Sequence, residues 1–211
     1  MRGLERIPWL YDLGMALLER GGLGRWREWL AKGASGRTLD LGTGTGRDLP
    51  LYPPGVSAVA LDPHPENLAR ARTRAPAAPL VLARAEALPF RDGVFDTVVC
   101  GLVLCSVDDP QRGLAEVRRV LRPGGSLRLL EHVRAPGLGG TLQDLAQPAW
   151  TALTGGCRPN RETVRAVAAA GFAIDPASVR ARGVMRRLVA TAPPAQGREP
   201  DAALPDGARS G

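Results

Sequence analysis

Three glycines in five residues, Gly42-Thr43-Gly44-Thr45-Gly46, follow the short segment Arg37-Thr38-Leu39-Asp40-Leu41, and no other feature constrains the fold as much. Glycine accepts the positive φ of a sharp turn and lets a ligand lie against bare main chain. A strand that runs into such a loop therefore reads as the start of a ligand-binding βαβ unit. The pattern continues downstream. Residues 56–61, 80–83, 97–100 and 126–131 read as strands, and the run at 97–100 is continuously apolar, as a strand buried on both faces should be. Between them fall a short helix stopping before Pro53-Pro54, a helix over 65–74 with Pro65 in its first turn, and a helix opened by Asp109-Pro110 with Leu114, Val117 and Leu121 as its apolar stripe. Helices over 141–153 and 161–170 and strands near 173–175 and 185–192 complete the series. Alternation of this kind predicts an α/β fold around a mainly parallel sheet.

The loop also limits the ligand. In a dinucleotide fingerprint, GxGxxG, the third glycine would fall at Arg47 or at Leu49, so both registers fail, and the GK[ST] ending of a phosphate-binding loop is absent. An NAD-dependent oxidoreductase is therefore disfavoured. Asp62 stands 22 residues after Asp40, at the end of the second strand, where a carboxylate accepts hydrogen bonds from ribose hydroxyls. Asp40, just ahead of the loop, can pair with a cation. Two carboxylates around one nucleoside pocket suit S-adenosylmethionine, which carries an ammonium and a sulfonium and no phosphate.

The 211 residues include 28 basic and 21 acidic ones, a formal charge of +7, and Lys32 is the only lysine. The arginines are spread along the chain and many alternate with acids. The tightest groups are Arg70/Arg72/Arg74 and Arg180/Arg182/Arg186/Arg187. A solvated outer surface is the expected use of this charge, with attraction to an acidic membrane surface as the alternative. At 4% aromatic residues the chain offers few stacking platforms, so nucleic acid is not an expected partner. No apolar run reaches the ~18 residues of a membrane span, and Glu5, Asp12 and Glu19 interrupt any secretory pattern. Cys100, Cys105 and Cys157 form no disulfide framework and no CxxC pair, so no metal is expected and a reducing, cytoplasmic setting is. Residues 1–35 read as an N-terminal helical lid, 36–192 as the ligand-binding domain, and 193–211, rich in Pro, Gly, Ala and charge, as a disordered tail.

Over residues 36–172 the chain resembles the class I S-adenosylmethionine-dependent methyltransferases. The glycine loop, Ala85-Glu86-Ala87-Leu88-Pro89-Phe90, Phe95-Asp96 and Leu121-Arg122-Pro123-Gly124-Gly125 carry the resemblance. It implies a Rossmann-like, seven-stranded, mostly parallel sheet with helices on both faces. It also implies a methyl-donor site formed by Asp40, Leu41, Gly42, Thr43, Gly44, Gly46, Asp62, Pro63, His64, Ala85, Glu86, Ala87, Cys100, Gly101 and Leu102. Arg84 departs from the pattern, because related enzymes often place an aspartate there toward the adenine. Leu51-Tyr52-Pro53-Pro54-Gly55, Asp62-Pro63-His64-Pro65, the segment from Val98 to Val107, Glu131-His132-Val133, Gln147-Pro148-Ala149-Trp150 and Gly156-Cys157 are similar to the animal alkyl-thiol S-methyltransferases. Bacterial soluble phospholipid N-methyltransferases share much of this pattern. The animal enzymes carry an N-terminal apolar membrane anchor, and no such run is found here.

Methyl transfer from a sulfonium is an in-line displacement, so the protein mainly aligns the reactants and excludes water, leaving S-adenosylhomocysteine as product. His132, after the fifth strand, is the candidate for orienting or deprotonating the acceptor, the alternative being a hydrogen bond to backbone. Trp9, Tyr11 and Trp150 are candidates for an apolar acceptor lid. The expected acceptor is a small molecule or lipid: a thiol, an amine or a quinone. A non-catalytic, donor-binding or RNA-binding relative of the same fold is the competing reading.

Overall fold

Four successive buried side chains make residues Arg37–Leu41 a central strand (β1), and the same continuous burial marks β2 (Ser57–Asp62) and β4 (Phe95–Gly101). The computed structural model describes residues 22–194. With β3 (Leu80–Leu82), β5 (Leu121–His132), β6 (Ala173–Ile174), β7 (Arg180–Arg182) and β8 (Met185–Thr191), these strands form one eight-stranded sheet in the order β3-β2-β1-β4-β5-β8-β6, with β7 paired to β8. Strands β1 to β5 run parallel, in a register that aligns Asp40 with Ala60 and Leu41 with Cys100. β8 runs antiparallel between β5 and β6. The chain moves outward from β1 through β2 to β3, then returns to the other side of β1 for β4. That reversal places a crevice at the carboxyl ends of β1 and β4, where open α/β sheets bind ligands.

Alternate side chains serve two cores. Leu39, Leu41, Val98, Cys100, Leu127 and Leu129 pack with Leu114 and Val117 of α3 (Pro110–Val120) and Val167 of α5 (Thr163–Ala169). Val99 and Leu130 pack with Leu30 of α1 (Gly24–Lys32), while Ala60 packs with Ala71 of α2 (Pro65–Arg74). Helices therefore cover both faces. Pro65 starts α2 where its missing N–H costs nothing. Asp109 caps α3, its Oδ1 accepting from the N–H groups of Gln111 and Arg112, each at 3.0 Å.

Several details differ from expectation. β7 is an added strand, so the sheet has eight. β5 begins at Leu121, because that residue pairs with Phe95 across an irregular register before regular pairing resumes at Thr97 and Ser126. Pro123-Gly124-Gly125 thus lies within the strand and does not merely end a helix. The helix after the glycine loop is a single 3-10 turn (Leu49–Leu51), and α4 starts earlier than predicted (Gly137–Thr154) with Pro148 inside it. Trp9, Tyr11 and the tail beyond residue 194 lie outside the described residues. Residues 24–32, expected as part of a lid, form α1, a packed layer against β4 and β5. No helix among the described residues is long and apolar enough to cross a membrane.

Candidate active site

The glycine loop takes the conformation its sequence demands. Gly42, Gly44 and Gly46 have φ of 64°, 55° and 79°. A Cβ on Gly42 would lie 2.5 Å from the Val103 side chain, and one on Gly46 2.8 Å from Ala71, whereas one on Gly44 would meet nothing within 4 Å. Gly42 and Gly46 are thus close-approach positions, and Gly44 borders open space. Asp62, buried at the end of β2, braces this turn. Its Oδ2 accepts from the Gly44 N–H at 2.9 Å, and its Oδ1 accepts from the His64 N–H at 2.9 Å and from Asn67 Nδ2 at 3.1 Å. A carboxylate has about four acceptor positions, so three protein bonds leave Asp62 one, at Oδ2, for a further hydroxyl. Burial holds its pKa above the usual carboxylate range.

Asp40 lies on the α1 face in a buried polar group. Its Oδ2 accepts from Thr43 Oγ1 at 2.8 Å, and Asp48 nearby is paired with Arg27 at 2.8 Å. Burial, aggravated by the Asp48 charge, raises the Asp40 pKa to about 8. The Tyr52 hydroxyl is buried against these carboxylates with no well-formed hydrogen bond. A second buried carboxyl, which keeps its proton in these surroundings and ionises only if positive charge is brought beside it, suits a cationic ligand next to the glycine cradle. The residues present therefore fit S-adenosylmethionine, a nucleoside with a cationic amino-acid part and no phosphate.

The loop after β4 completes this edge. Leu102 is the one described non-glycine residue with positive φ, at 63°, a conformation that costs strain and clusters at functional sites. Its N–H donates to the Leu130 carbonyl at 2.7 Å. Gly101 leaves room for Leu30 and Asp48, whose atoms would lie 3.0 and 3.3 Å from a Cβ there. The residue that holds the loop is Glu131, which sequence reasoning did not single out. It is fully buried at the end of β5; its Oε1 accepts from the N–H groups of Val103 (2.6 Å) and Leu104 (2.7 Å), and its Oε2 from that of Cys105 (3.3 Å). Burial raises its pKa to about 7, against the lowering effect of those bonds. The available signal was an acid directly after Leu129-Leu130 at the end of a strand, where an unpaired carboxylate would be costly.

Other expected contacts serve different ends. The Cys100 thiol is buried 3.7 Å from Glu131 Oε1. The Glu86 carboxylate accepts from the N–H groups of Asp108 (3.0 Å) and Asp109 (3.3 Å), so its side chain ties the loop after β3 to the start of α3. Ala85 is buried, and Ala87 bridges back to Arg84. Arg84 itself is exposed and pairs with Asp108 and Glu86. A groove of about 370 Å³ lies beside Glu86, Ala87 and Glu116 and excludes the glycine loop. Pro63 and His64 lead from Asp62 into α2.

Two of the acceptor candidates, His132 and Trp150, meet at Cys157. His132 Nδ1 lies 3.8 Å from Cys157 Sγ, and among the described residues its ring has no hydrogen bond to a backbone group. Hydrogen bonding from Cys105, His132 and Trp150 pulls the Cys157 thiol down, while Cys105 is pushed up. Trp150 is half-exposed on α4, which also presents Leu138, Leu142, Leu145 and Leu153 to solvent.

A methyltransferase domain model matches residues 39–129. The human thiol S-methyltransferase TMT1A is 35% identical over 178 residues, covering 80% of this chain and 73% of that protein. Human TMT1B is 41% identical over 142 residues, covering 62% and 58%, so the chain spans somewhat over half the length of that relative. A phosphatidylethanolamine N-methyltransferase of Cereibacter sphaeroides is 39% identical over 103 residues, 46% of this chain and 51% of that one. The YcgJ protein of Bacillus subtilis shares the fold, with a TM-score of 0.62 at 18% identity over 82% of this chain and 96% of that one. The [4+2]-cyclase SpnF shares it too, with a TM-score of 0.63 at 19% identity over 80% and 81%. On these grounds the chain belongs to the S-adenosylmethionine-dependent methyltransferase family.

Proposed function

We propose that this chain transfers the methyl group of S-adenosylmethionine to a small thiol, releasing S-adenosylhomocysteine. The observation that carries the methyl-donor half is the pair of buried carboxylates, Asp40 and Asp62, flanking an open glycine cradle. Similarity to thiol S-methyltransferases over most of the chain supports the acceptor half. Bound, the donor supplies a methyl group already activated on a sulfonium, so the protein's work is alignment and exclusion of water. Asp62 and the glycine loop set the nucleoside end, Asp40 the cationic end, and Glu131 fixes the loop that closes over Gly42. A thiol with pKa near ~8.5 is partly ionised at neutral pH and needs little general-base help. His132 would orient it, and Trp150 with the N-terminal segment bearing Trp9 and Tyr11 would cover it. Three unpaired cysteines fit a reducing, cytoplasmic setting.

A second reading, a lipid-borne amine as acceptor at an acidic membrane surface, is favoured by the exposed apolar side chains of α4. One experiment separates the readings: isotopically labelled methyl donor offered with small thiols or with phosphatidylethanolamine vesicles, read by mass. Label on the thiol supports the first, label on the lipid replaces it, and label on neither sinks both.

A further inference from the structure

Three side chains that no motif of the methyl-donor site contains meet at the carboxyl edge of the sheet. Cys105 comes from the loop after β4, His132 from the end of β5 and Cys157 from the loop after α4. One ligand atom of each lies within 4.8 Å of the other two, with Cys157 Sγ and His132 Nδ1 3.8 Å apart. A tetrahedral zinc ion bound at about 2.3 Å to sulfur and about 2.1 Å to nitrogen needs its ligand atoms roughly 3.6–3.8 Å apart. Small side-chain movements therefore close the site.

The backbone around these ligands is pinned. The Arg158 N–H donates to the Cys105 carbonyl at 2.7 Å, tying two of the ligand segments together. Thr151 Oγ1 donates to the Cys157 carbonyl at 2.9 Å and accepts from Gln147 Nε2 at 2.8 Å. Glu131 holds the Leu104 and Cys105 N–H groups, and Arg161 donates to the Leu104 carbonyl. Gly155 and Gly156, both at positive φ, make the turn that brings Cys157 back to the sheet. These bonds fix the main chain from which the ligand side chains project. Two sulfurs and one imidazole suit Zn²⁺, whereas Mg²⁺ and Ca²⁺ require oxygen ligands. The cysteines are buried, whereas His132 is partly exposed to solvent.

We propose that Cys105, His132 and Cys157 form a three-ligand zinc site whose fourth position takes the acceptor thiol. Sites with three protein ligands and an open fourth are the catalytic form of zinc coordination. The use of that position rests on the thiol reading above; the metal site itself does not. The acceptor thiol gives up its proton to solvent water on coordination, and its sulfur pair forms the new bond to the methyl carbon. The methyl–sulfonium bond breaks with its electron pair returning to the sulfur of the methyl donor, and the neutral thioether product, a poorer ligand, leaves the metal.

Cobalt(II) reports such a site by its thiolate charge-transfer band and its tetrahedral visible spectrum. The full chain, reduced and metal-stripped, is titrated anaerobically with Co²⁺, without and with a small thiol. One equivalent should bind with both signatures, the visible bands should shift when the thiol is added, and Cys157→Ser or His132→Ala should weaken binding by 100-fold or more, beyond the 10–100-fold cost of losing an outer-shell partner. No thiolate–cobalt band in the reduced wild-type protein overturns the site, even if thiols are methylated, in which case the functional reading stands alone. A band that no acceptor thiol shifts overturns the acceptor position. If labelled methyl also reaches no thiol, the functional reading fails while the metal site remains. The wild-type titration decides these outcomes if either variant fails to fold.

Discussion

At the scale of single residues, Asp62 is the most exposed to test, because it has two duties. It braces Gly44 and His64, and in the proposed function its remaining lone pair takes a ribose hydroxyl. Asp62→Ala should reduce S-adenosylmethionine affinity on the order of 100-fold, the worth of one or two hydrogen bonds to a charged acceptor plus a loosened turn. Calorimetry that found affinity unchanged would remove the ribose assignment. Asp40 makes a different prediction. In the folded chain without ligand its pKa is about 8, against 3.8 for an unperturbed aspartate. Between those values the unfolded chain has lost a proton that the folded chain keeps, so this residue makes stability fall as pH rises from about 4 to about 8. Asp40→Asn should flatten that part of the profile in thermal melts. A variant profile parallel to the wild type across the window contradicts the burial argument. Asp62 was legible from its distance to Asp40. Glu131 was not, since its three N–H partners come from a loop 26 to 28 residues earlier in the chain.

At the scale of elements, α1 shows where the arginines go. Arg128 Nε and Nη2 donate to the carbonyls of Leu30 (2.8 Å) and Trp29 (2.6 Å), satisfying the last turn of the helix, and its guanidinium lies 4.5 Å from the Trp29 ring centroid. Arg187 stacks on Trp29 and Trp26 at 4.4 and 5.3 Å. The expectation that the group Arg180–Arg187 belongs to the outer surface therefore fails for Arg187, whose charge glues α1 to the sheet. Gly33 is part of the same joint, since a Cβ there would sit 2.1 Å from the Arg128 guanidinium. Arg128→Met should destabilise the fold by about 2–4 kcal/mol. Gly33→Ala, which pushes the guanidinium off its carbonyls, should cost about 1–3 kcal/mol. In the Arg128→Met background Gly33→Ala should cost almost nothing, and additive costs in denaturant melts would show the two act separately. The sequence made β1, β2 and α2 legible to within a residue, because their signals are local: apolar runs, a helix-opening proline and a following glycine or acid. It hid β7, which is three exposed residues, Arg180–Arg182, whose pairing with β8 depends on a partner strand. It hid the clustering of Cys105, His132 and Cys157 for the same reason, since 25 to 52 residues separate them and only the sheet edge unites them.

At the scale of the whole molecule, net charge and exposed apolar surface bear on one question, whether the protein works at a lipid surface. Leu138, Leu142, Leu145 and Leu153 recur on α4 at spacings of three, four and eight residues, one face of a helix, and are 84%, 67%, 75% and 54% exposed. Asp144 is the only charged residue in that helix, and Arg134 and Asn160 hold it. A helix of this kind lying on a membrane would insert leucines between headgroups while a chain of net charge +7 is drawn to acidic lipid. Vesicles rich in phosphatidylserine should therefore bind the protein more tightly than neutral ones, with the difference shrinking as salt rises and screening shortens. Leu142→Asp with Leu145→Asp should abolish the salt-resistant part and leave the folded chain's methyl-donor affinity unchanged, because both side chains are exposed to solvent. Equal binding to neutral and acidic vesicles would remove any role for the arginine excess. Wild-type and doubly substituted chains sedimenting alike would remove α4 from the surface and, with it, the observation that favours a lipid-borne acceptor over a free thiol.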